Sequence, residues 1–403
     1  MMRACGTLTA GGVVVAFVVS VSVLAGPITP PAGPVAPTPG PEPRIPIGPD
    51  TTPGDNDVTP SLYKISQPGS YYLTGNITGV VGKHGIEIAA SGVTLDLNGF
   101  DLVGVPGMGA FDGVTTAHLV LTNITVRNGS VRNWGDDGVA VGAQVFGRTA
   151  ENGAVIDVAS HGNAGHGIYV YDGGLVKNCR AWKNGKDGIN ADSGSTVIGC
   201  VAQDNTGTGI NASGGTTIES CSAFNNFAAG IFTNNGGAVR GCAASNNSLD
   251  GIQVLSGCTV TDCAAHFNSG NGISAADGSM VSNCSSYTSA LDGIRVGSNC
   301  SVLRNTCFKA GNFGNGAGVH ATGTGNHIEG NTCTGADRGI DVDGAANVIV
   351  RNMCSDNTTN WTIVADNVVG PIIDRRAPAS AAISGNTAPD STGSTNPNAN
   401  ITY

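Results

Sequence analysis

Residues 134 to 186 gather groups able to do chemistry in a chain where only 12% of residues are charged. Asp136 and Asp137 are adjacent carboxylates, Asp112 lies upstream of them, and His166 lies downstream. Two carboxyl groups can divide the labour of acid–base catalysis, one donating a proton while the other activates water or attacks. A histidine adds a group that titrates near neutrality. Trp134, Tyr169, Tyr171 and Trp182 offer flat aromatic faces for sugar rings. Lys183 and Lys186, with Lys177 and Arg180, form a local basic patch in a chain of net charge −10. Together these are the parts that processing of an acidic polysaccharide needs, with Asp112, Asp136, Asp137 and His166 as catalytic candidates. Trp134, Tyr169, Tyr171, Trp182, Lys183 and Lys186 are the substrate-binding candidates. A second acidic group, Asp341 and Asp343 beside Asp337 and Arg338, offers convergent oxygens to a hard cation such as Ca2+. Calcium enters this reading only if the chemistry is that of a lyase; otherwise no cofactor is expected.

The scaffold holding these residues has a restrictive composition. Among 403 residues there are 62 glycines, and aromatic residues make up only 5%. Glycine at that density weakens helix interiors by roughly 1 kcal/mol per site relative to alanine, so an all-helical chain is excluded. No clustered lysine and arginine run exists to neutralise phosphates, which excludes nucleic acid as a partner. The 12 cysteines contain no Cys-x-x-Cys pair of the kind used for zinc or thiol redox chemistry.

Four segments follow from the pattern. Residues 1–25 read as a signal peptide, with Arg3, an apolar stretch from Val13 to Leu24, and the small-residue site Val23-Leu24-Ala25. Residues 26–60 read as a proline-rich linker, and 373–403 as a polar, unstructured tail. No later segment approaches the ~18 apolar residues of a membrane span. Between these ends, 61–372 repeats itself. Gly-Ile or Gly-Val recurs at Gly138, Gly167, Gly188, Gly209, Gly230, Gly251, Gly272, Gly293, Gly318 and Gly339, with 21-residue spacing from Gly167 to Gly293. Asn163, Asn184, Asn205, Asn226, Asn247 and Asn268 keep the same period. So do Cys179, Cys200, Cys221, Cys242, Cys263 and Cys284, a row that slips slightly and continues through Cys307, Cys333 and Cys354.

Each unit has room for two or three short strands and for no helix, which predicts an all-β, right-handed parallel β-helix with coils of about 21 residues. The asparagines are expected to stack at a corner, and the cysteines to be buried thiols serving as small apolar groups.

The repeats, with Ile65-Ser66-Gln67-Pro68-Gly69-Ser70-Tyr71-Tyr72-Leu73 and Val93-Thr94-Leu95-Asp96-Leu97-Asn98-Gly99, resemble the right-handed parallel β-helix proteins of the pectin-lyase-like superfamily, from about Ser61 to Ile372. Within them, Gly135-Asp136-Asp137-Gly138 and Gly165-His166-Gly167 resemble the Asp-Asp and Gly-His-Gly motifs of polygalacturonase-type hydrolases. That resemblance implies Asp112, Asp136 and Asp137 as acid and base, supported by His166. Three features depart from it: Phe111 precedes Asp112, 29 residues separate Asp137 from His166, and no Arg-Ile-Lys triplet follows. The same dipeptides also fit the generic repeat.

The sequence therefore supports an exported β-helix protein that binds extracellular polysaccharide or serves a surface role. The alternative is an enzyme acting on acidic glycans, a polygalacturonase-type hydrolase ahead of a lyase or epimerase. Convergence of Asp112, Asp136, Asp137 and His166 on one groove distinguishes the two.

Overall fold

One coil shows how the repeat folds. Ile168–Val170 forms the first strand, with Ile168 and Val170 buried and Tyr169 facing out. Gly173 then turns the chain at φ +67°, a left-handed value that costs glycine nothing. Leu175–Lys177 follows with Val176 inside, and a bend at Asn178 (φ 53°) and Cys179 leads to Arg180–Trp182 with Ala181 inside. Lys183 (φ 55°) and Asn184 close the coil. In the next coil every strand pairs in parallel register, Ile168 with Ile189, Val176 with Val197 and Ala181 with Ala202.

In a computed structural model that describes residues 44–54, 61–117, 120–142, 144–145, 148–149, 152–311, 314–374 and 396–403, this unit stacks into about 14 turns. The first strands build a 14-stranded sheet and the other two strands of each coil a 28-stranded one, with no helix among the described residues. The segment read as a signal peptide lies outside the described residues.

Inside, Ile168, Ile189, Ile210, Ile231, Ile252, Ile273 and Ile294 are fully buried in one row. Each contributes roughly 1.5–3 kcal/mol relative to an exposed side chain. The asparagine row forms the corner before the 14-stranded sheet. Asn184 Nδ2 donates to Asn205 Oδ1 at 3.0 Å, and the backbone N–H of Asn184 donates to the same oxygen at 3.1 Å. Buried amides that satisfy one another and the turn backbone avoid a desolvation cost of about 1–3 kcal/mol per orphaned group.

All eleven cysteines from Cys179 on are buried free thiols. They do not form one continuing row, and the sequence reading is corrected here. Cys179 to Cys284 occupy the bend between the two strands of the larger sheet, where the Cys179 thiol donates to the Lys177 carbonyl at 3.2 Å. After Cys284 that bend passes to asparagine: Cys284 N–H donates to Asn305 Oδ1 at 2.8 Å, and Asn331, Asn352 and Asn400 continue the row. Cys307, Cys333 and Cys354 stand two residues further on, at the inward position that alanine or serine holds in earlier coils. The apparent slip is a change of ladder.

Both ends extend beyond the span read as solenoid. Ile45–Pro46, inside the stretch read as linker, pairs with Tyr71–Tyr72. Asn400–Thr402, inside the stretch read as an unstructured tail, pairs with Met353–Cys354 and with Ile372–Asp374, and Thr402 Oγ1 accepts from Trp361 Nε1 at 2.6 Å. Ile45–Pro46 and Asn400–Thr402 thus each supply backbone partners to strands of the larger sheet.

Candidate functional site

The residue before each Gly-Ile dipeptide occupies one column along the edge of the 14-stranded sheet: His84, Asp112, Asp137, His166, Asp187, and on to Asp250, Asn271 and Asp292. Where it is His, Asp or Asn, its side chain accepts a hydrogen bond from the N–H of the same position in the next coil. Asp112 N–H reaches His84 Nδ1 at 2.9 Å, Asp137 N–H reaches Asp112 Oδ1 at 3.0 Å, and His166 N–H reaches Asp137 Oδ1 at 2.7 Å. Asp187 N–H continues the pattern to His166 Nδ1 at 3.3 Å. The following glycine is required because a Cβ at Gly113 would lie 2.6 Å from the Gly138 carbonyl oxygen. One acceptor atom of each column residue is therefore structural, and only the other is available for chemistry.

Asp112, Asp136 and Asp137 each bring one carboxylate oxygen within 4.8 Å of the others. They line a recess of about 220 Å³ together with His84, Glu87, Tyr169 and Tyr171. Burial raises the Asp112 carboxyl, the neighbouring Asp137 charge adds to it, and the result is about 7. Asp137 is also raised, chiefly by burial, against the opposing pull of His166. Asp136 is half-buried at the rim, where Lys186 Nζ stands 3.2 Å from its Oδ1. Burial draws Lys186 down, but the Asp136 hydrogen bond and the fields of the three aspartates leave it above its usual value. On the other wall Tyr169 and Tyr171 stack 4.5 Å apart, and Tyr169 OH donates to Asp192 Oδ2 at 3.2 Å. Burial raises both phenols, so both remain donors near neutral pH.

Several expectations meet in this recess: Asp112, Asp136, Asp137, Tyr169 and Tyr171 line it, Lys186 reaches it, and His166 adjoins it through the column. With Asp187 N–H bonded to His166 Nδ1, the neutral ring carries its proton on Nε2. The 29-residue interval before His166 leaves the stacking intact, because Val139 still pairs with Ile168. The additional residues form a small antiparallel pairing of Gln144–Val145 with Arg148–Thr149 at the edge of the coil.

Other expectations are corrected. Trp134 is 1% exposed and binds nothing outside the protein; it stands where later coils carry the corner asparagine, and its Nε1 donates to the Leu102 carbonyl at 3.1 Å. The wider first coils are filled by that indole. Trp182 and Lys183, with Lys177 and Arg180, lie on or beside strands of the 28-stranded sheet, a face other than that of the carboxylates. Of the basic patch, Lys186 alone reaches the recess. His84 and Glu87 were missed, although both fit the Xaa-Gly-Ile-x frame at Gly85; applying the frame one coil earlier would have found them. Glu87 accepts from Ser61 Oγ at 3.1 Å, and Lys64 Nζ stands 3.6 Å from its other oxygen.

Asp341 and Asp343 belong to a second cluster on the same sheet. His320 Nε2 is 3.0 Å from Asp343 Oδ2 and 3.7 Å from Asp341 Oδ2, while its Nδ1 is 2.8 Å from Asp292 Oδ2. Arg338 Nε stands 2.7 Å from Asp341 Oδ2. His320, Asp341 and Asp343 on one hand, and Asp112, Asp136 and Asp137 on the other, are the two groups spaced closely enough to share a metal ion among the described residues. In the second group, Arg338 and a protonated His320 already offset the carboxylates.

Residues 69–249 and 212–354 match the right-handed β-helix region family, and the chain belongs to it. No curated protein matches. Among solved structures, the chain is similar to the A-module of mannuronan C-5 epimerase AlgE4 from Azotobacter vinelandii: 16% identity, 75% of this chain, 91% of that one, TM-score 0.53. The A-module of AlgE6 from the same organism gives 16% identity, the same coverage and a TM-score of 0.50. These likenesses establish the shared solenoid.

Proposed function

We propose that the protein engages a polysaccharide lying along the 14-stranded sheet, and that Asp112, Asp136 and Asp137 perform acid–base chemistry on it. The observation that carries this reading is a trio of converging carboxylates in an open recess, one of which titrates near pH 7. A carboxyl half-protonated at working pH is suited to donate and recover a proton in one cycle. Asp112 would protonate the glycosidic oxygen as the C–O bond breaks, while Asp136, held by Lys186, presents its carboxylate to the anomeric carbon. Water would then complete hydrolysis and return the proton to Asp112.

Their nearest oxygens, within 4.8 Å, are closer than the about 6.5–9.5 Å at which inverting glycosidases seat a water between acid and base. The spacing favours a retaining mechanism over the inverting alternative. The recess is acidic, since Lys186 is the one member of the basic patch that reaches it, so a neutral pyranose unit suits it better than a uronate. The fold likeness to epimerase modules that act on mannuronan agrees with a glycan ligand. Export by the N-terminal segment would place the protein with such polymers outside the cell.

The second reading is binding without chemistry. It rests on the structural use of Asp112 Oδ1 and Asp137 Oδ1 by backbone N–H groups, which accounts for those residues without catalysis. The test is reducing-end release from a panel of neutral and uronate polymers, with Asp112→Asn as control. Release from a neutral polymer that the variant abolishes supports the enzyme. Saturable binding with no release across the panel leaves the binding module.

A further inference from the structure

The basic residues left unused by the acidic recess make a site of their own. Arg180, Trp182 and Lys183, with Gln203 and Asp204 of the next coil, line a recess of about 350 Å³ on the 28-stranded sheet. His161 stacks on one face of the Trp182 indole, with ring centres 4.1 Å apart and planes within 15°. The strands pair His161 with Trp182 and Trp182 with Gln203, so the ring's far face looks over a smaller side chain into the recess. The Arg180 guanidinium stands 5.6 Å from the same ring. Arg180 and Lys183 are exposed, and neither has a carboxylate within ion-pair distance among the described residues. The one acid in the recess is already engaged, with Asp204 Oδ2 accepting from Gln203 and Oδ1 from Asn225.

We infer that this recess is a second saccharide site, distinct from the carboxylate groove, and that it binds a carboxylated sugar. The chemistry is complementary: a planar guanidinium can grip a carboxylate with two parallel hydrogen bonds, an ammonium adds charge, and an indole face takes the apolar face of a pyranose. The groove on the other sheet has the opposite sign, so the two faces select different sugar units. The site goes beyond the proposed catalytic reading and does not depend on it.

The substitutions that test it are supplied by the repeat. Ser222 and Asn225 hold the positions of Arg180 and Lys183 two coils later, and Asn225 adopts φ 55° as Lys183 does. The double variant Arg180→Ser, Lys183→Asn thus installs residues the fold already accepts. Binding of a short oligogalacturonate to the full chain, followed by calorimetry and tryptophan fluorescence, should be saturable and weakened by salt. A neutral oligosaccharide of equal length should not compete. The double variant should lose about tenfold or more in affinity, the order expected for removing charge-assisted hydrogen bonds. Asp112→Asn should leave this binding unchanged while removing any groove activity. Absence of saturable binding, retention of affinity in the double variant, equal binding of the neutral oligomer, or loss of binding in Asp112→Asn would each overturn the site.

Discussion

The two carboxylate clusters on the 14-stranded sheet are built from different positions of the coil and end in opposite electrostatic states: Asp112, Asp137 and Asp292 precede the repeat glycine, whereas Asp341 and Asp343 follow it. Near the N-terminal end, Asp112, Asp136 and Asp137 face an open recess, and Lys186 is the one lysine or arginine within ion-pair distance of them among the described residues. Near the C-terminal end, Asp292, Asp341 and Asp343 close around His320, and Arg338 lies against Asp341. Burial raises Asp112 and Asp341 alike. In the first cluster burial and the neighbouring Asp137 charge favour a proton on Asp112. In the second the charge is relieved by side chains that stay in place. Burial pulls His320 down, but its bond to Asp292 and the surrounding acids carry it above its ordinary value. Buried carboxylates thus favour a retained proton where cations are scarce and lean on fixed cations where these are built in.

The largest effect expected from breaking this contrast is that of Asp112→Asn. The carboxamide oxygen can still accept the Asp137 N–H, so the coil is retained, but the transferable proton is lost. Polymer cleavage should fall by about 10²–10⁴, the usual contribution of a positioned acid or base. Stability should change in the other direction. A carboxyl raised from its ordinary value to about 7 stabilises the fold relative to the ionised state at low pH, and that contribution is lost as pH rises from about 4 through 7. Thermal melts across this window should therefore slope downward in the native protein and flatten in the variant. An unchanged slope would show that Asp112 does not hold the proton.

A smaller and different effect is expected at the C-terminal cluster. His320→Gln removes the cation that the three acids surround. Because the folded value of His320 is raised, its stabilising contribution is complete below its unfolded value of ~6.5 and disappears as pH rises through the folded value. The variant should melt below the native protein at about pH 5, and the gap should close under alkaline conditions. Cleavage measured where both proteins are folded should be unaltered. A loss of activity comparable to that of Asp112→Asn would mean that both clusters serve the substrate and that the contrast fails.

The solenoid was legible because its cause is local and repeated. A Gly-Ile pair every 21 residues sets strand, turn and register together, and Asn184, Asn205 and Asn226 mark one corner without tertiary information. The convergence of the three carboxylates was legible through the same frame, since Asp112 and Asp137 both precede a glycine. Trp134 was misread because its type suits a sugar platform, and only the width of the first coils shows that an indole is needed inside. Trp182 and Lys183 were assigned to the wrong surface for a related reason. Proximity in sequence to Lys186 conceals the corner at Asn184, which turns the chain from one sheet to the other. The exchange of cysteine for asparagine at Asn305 was hidden because Cys307 lies only two residues away, and a shift of two in a strand preserves the inward face.

The finest distinction between the clusters concerns Lys186, which supplies to the groove a fraction of the compensation that Arg338 and His320 supply elsewhere. Its side chain is 53% exposed, so its field is screened and its contribution is small. Lys186→Gln removes the ammonium paired with Asp136, the carboxylate assigned to the anomeric carbon, and lengthens the list of unopposed carboxylates. The acid limb of the cleavage profile, which reports the carboxylate that must be ionised, should move upward by roughly half a pH unit at low ionic strength. At high salt the native and variant profiles should coincide, because the ions then do what the lysine did. A shift that persists undiminished in high salt would locate the effect of Lys186 in direct contact with the substrate, since a screened field could not produce it.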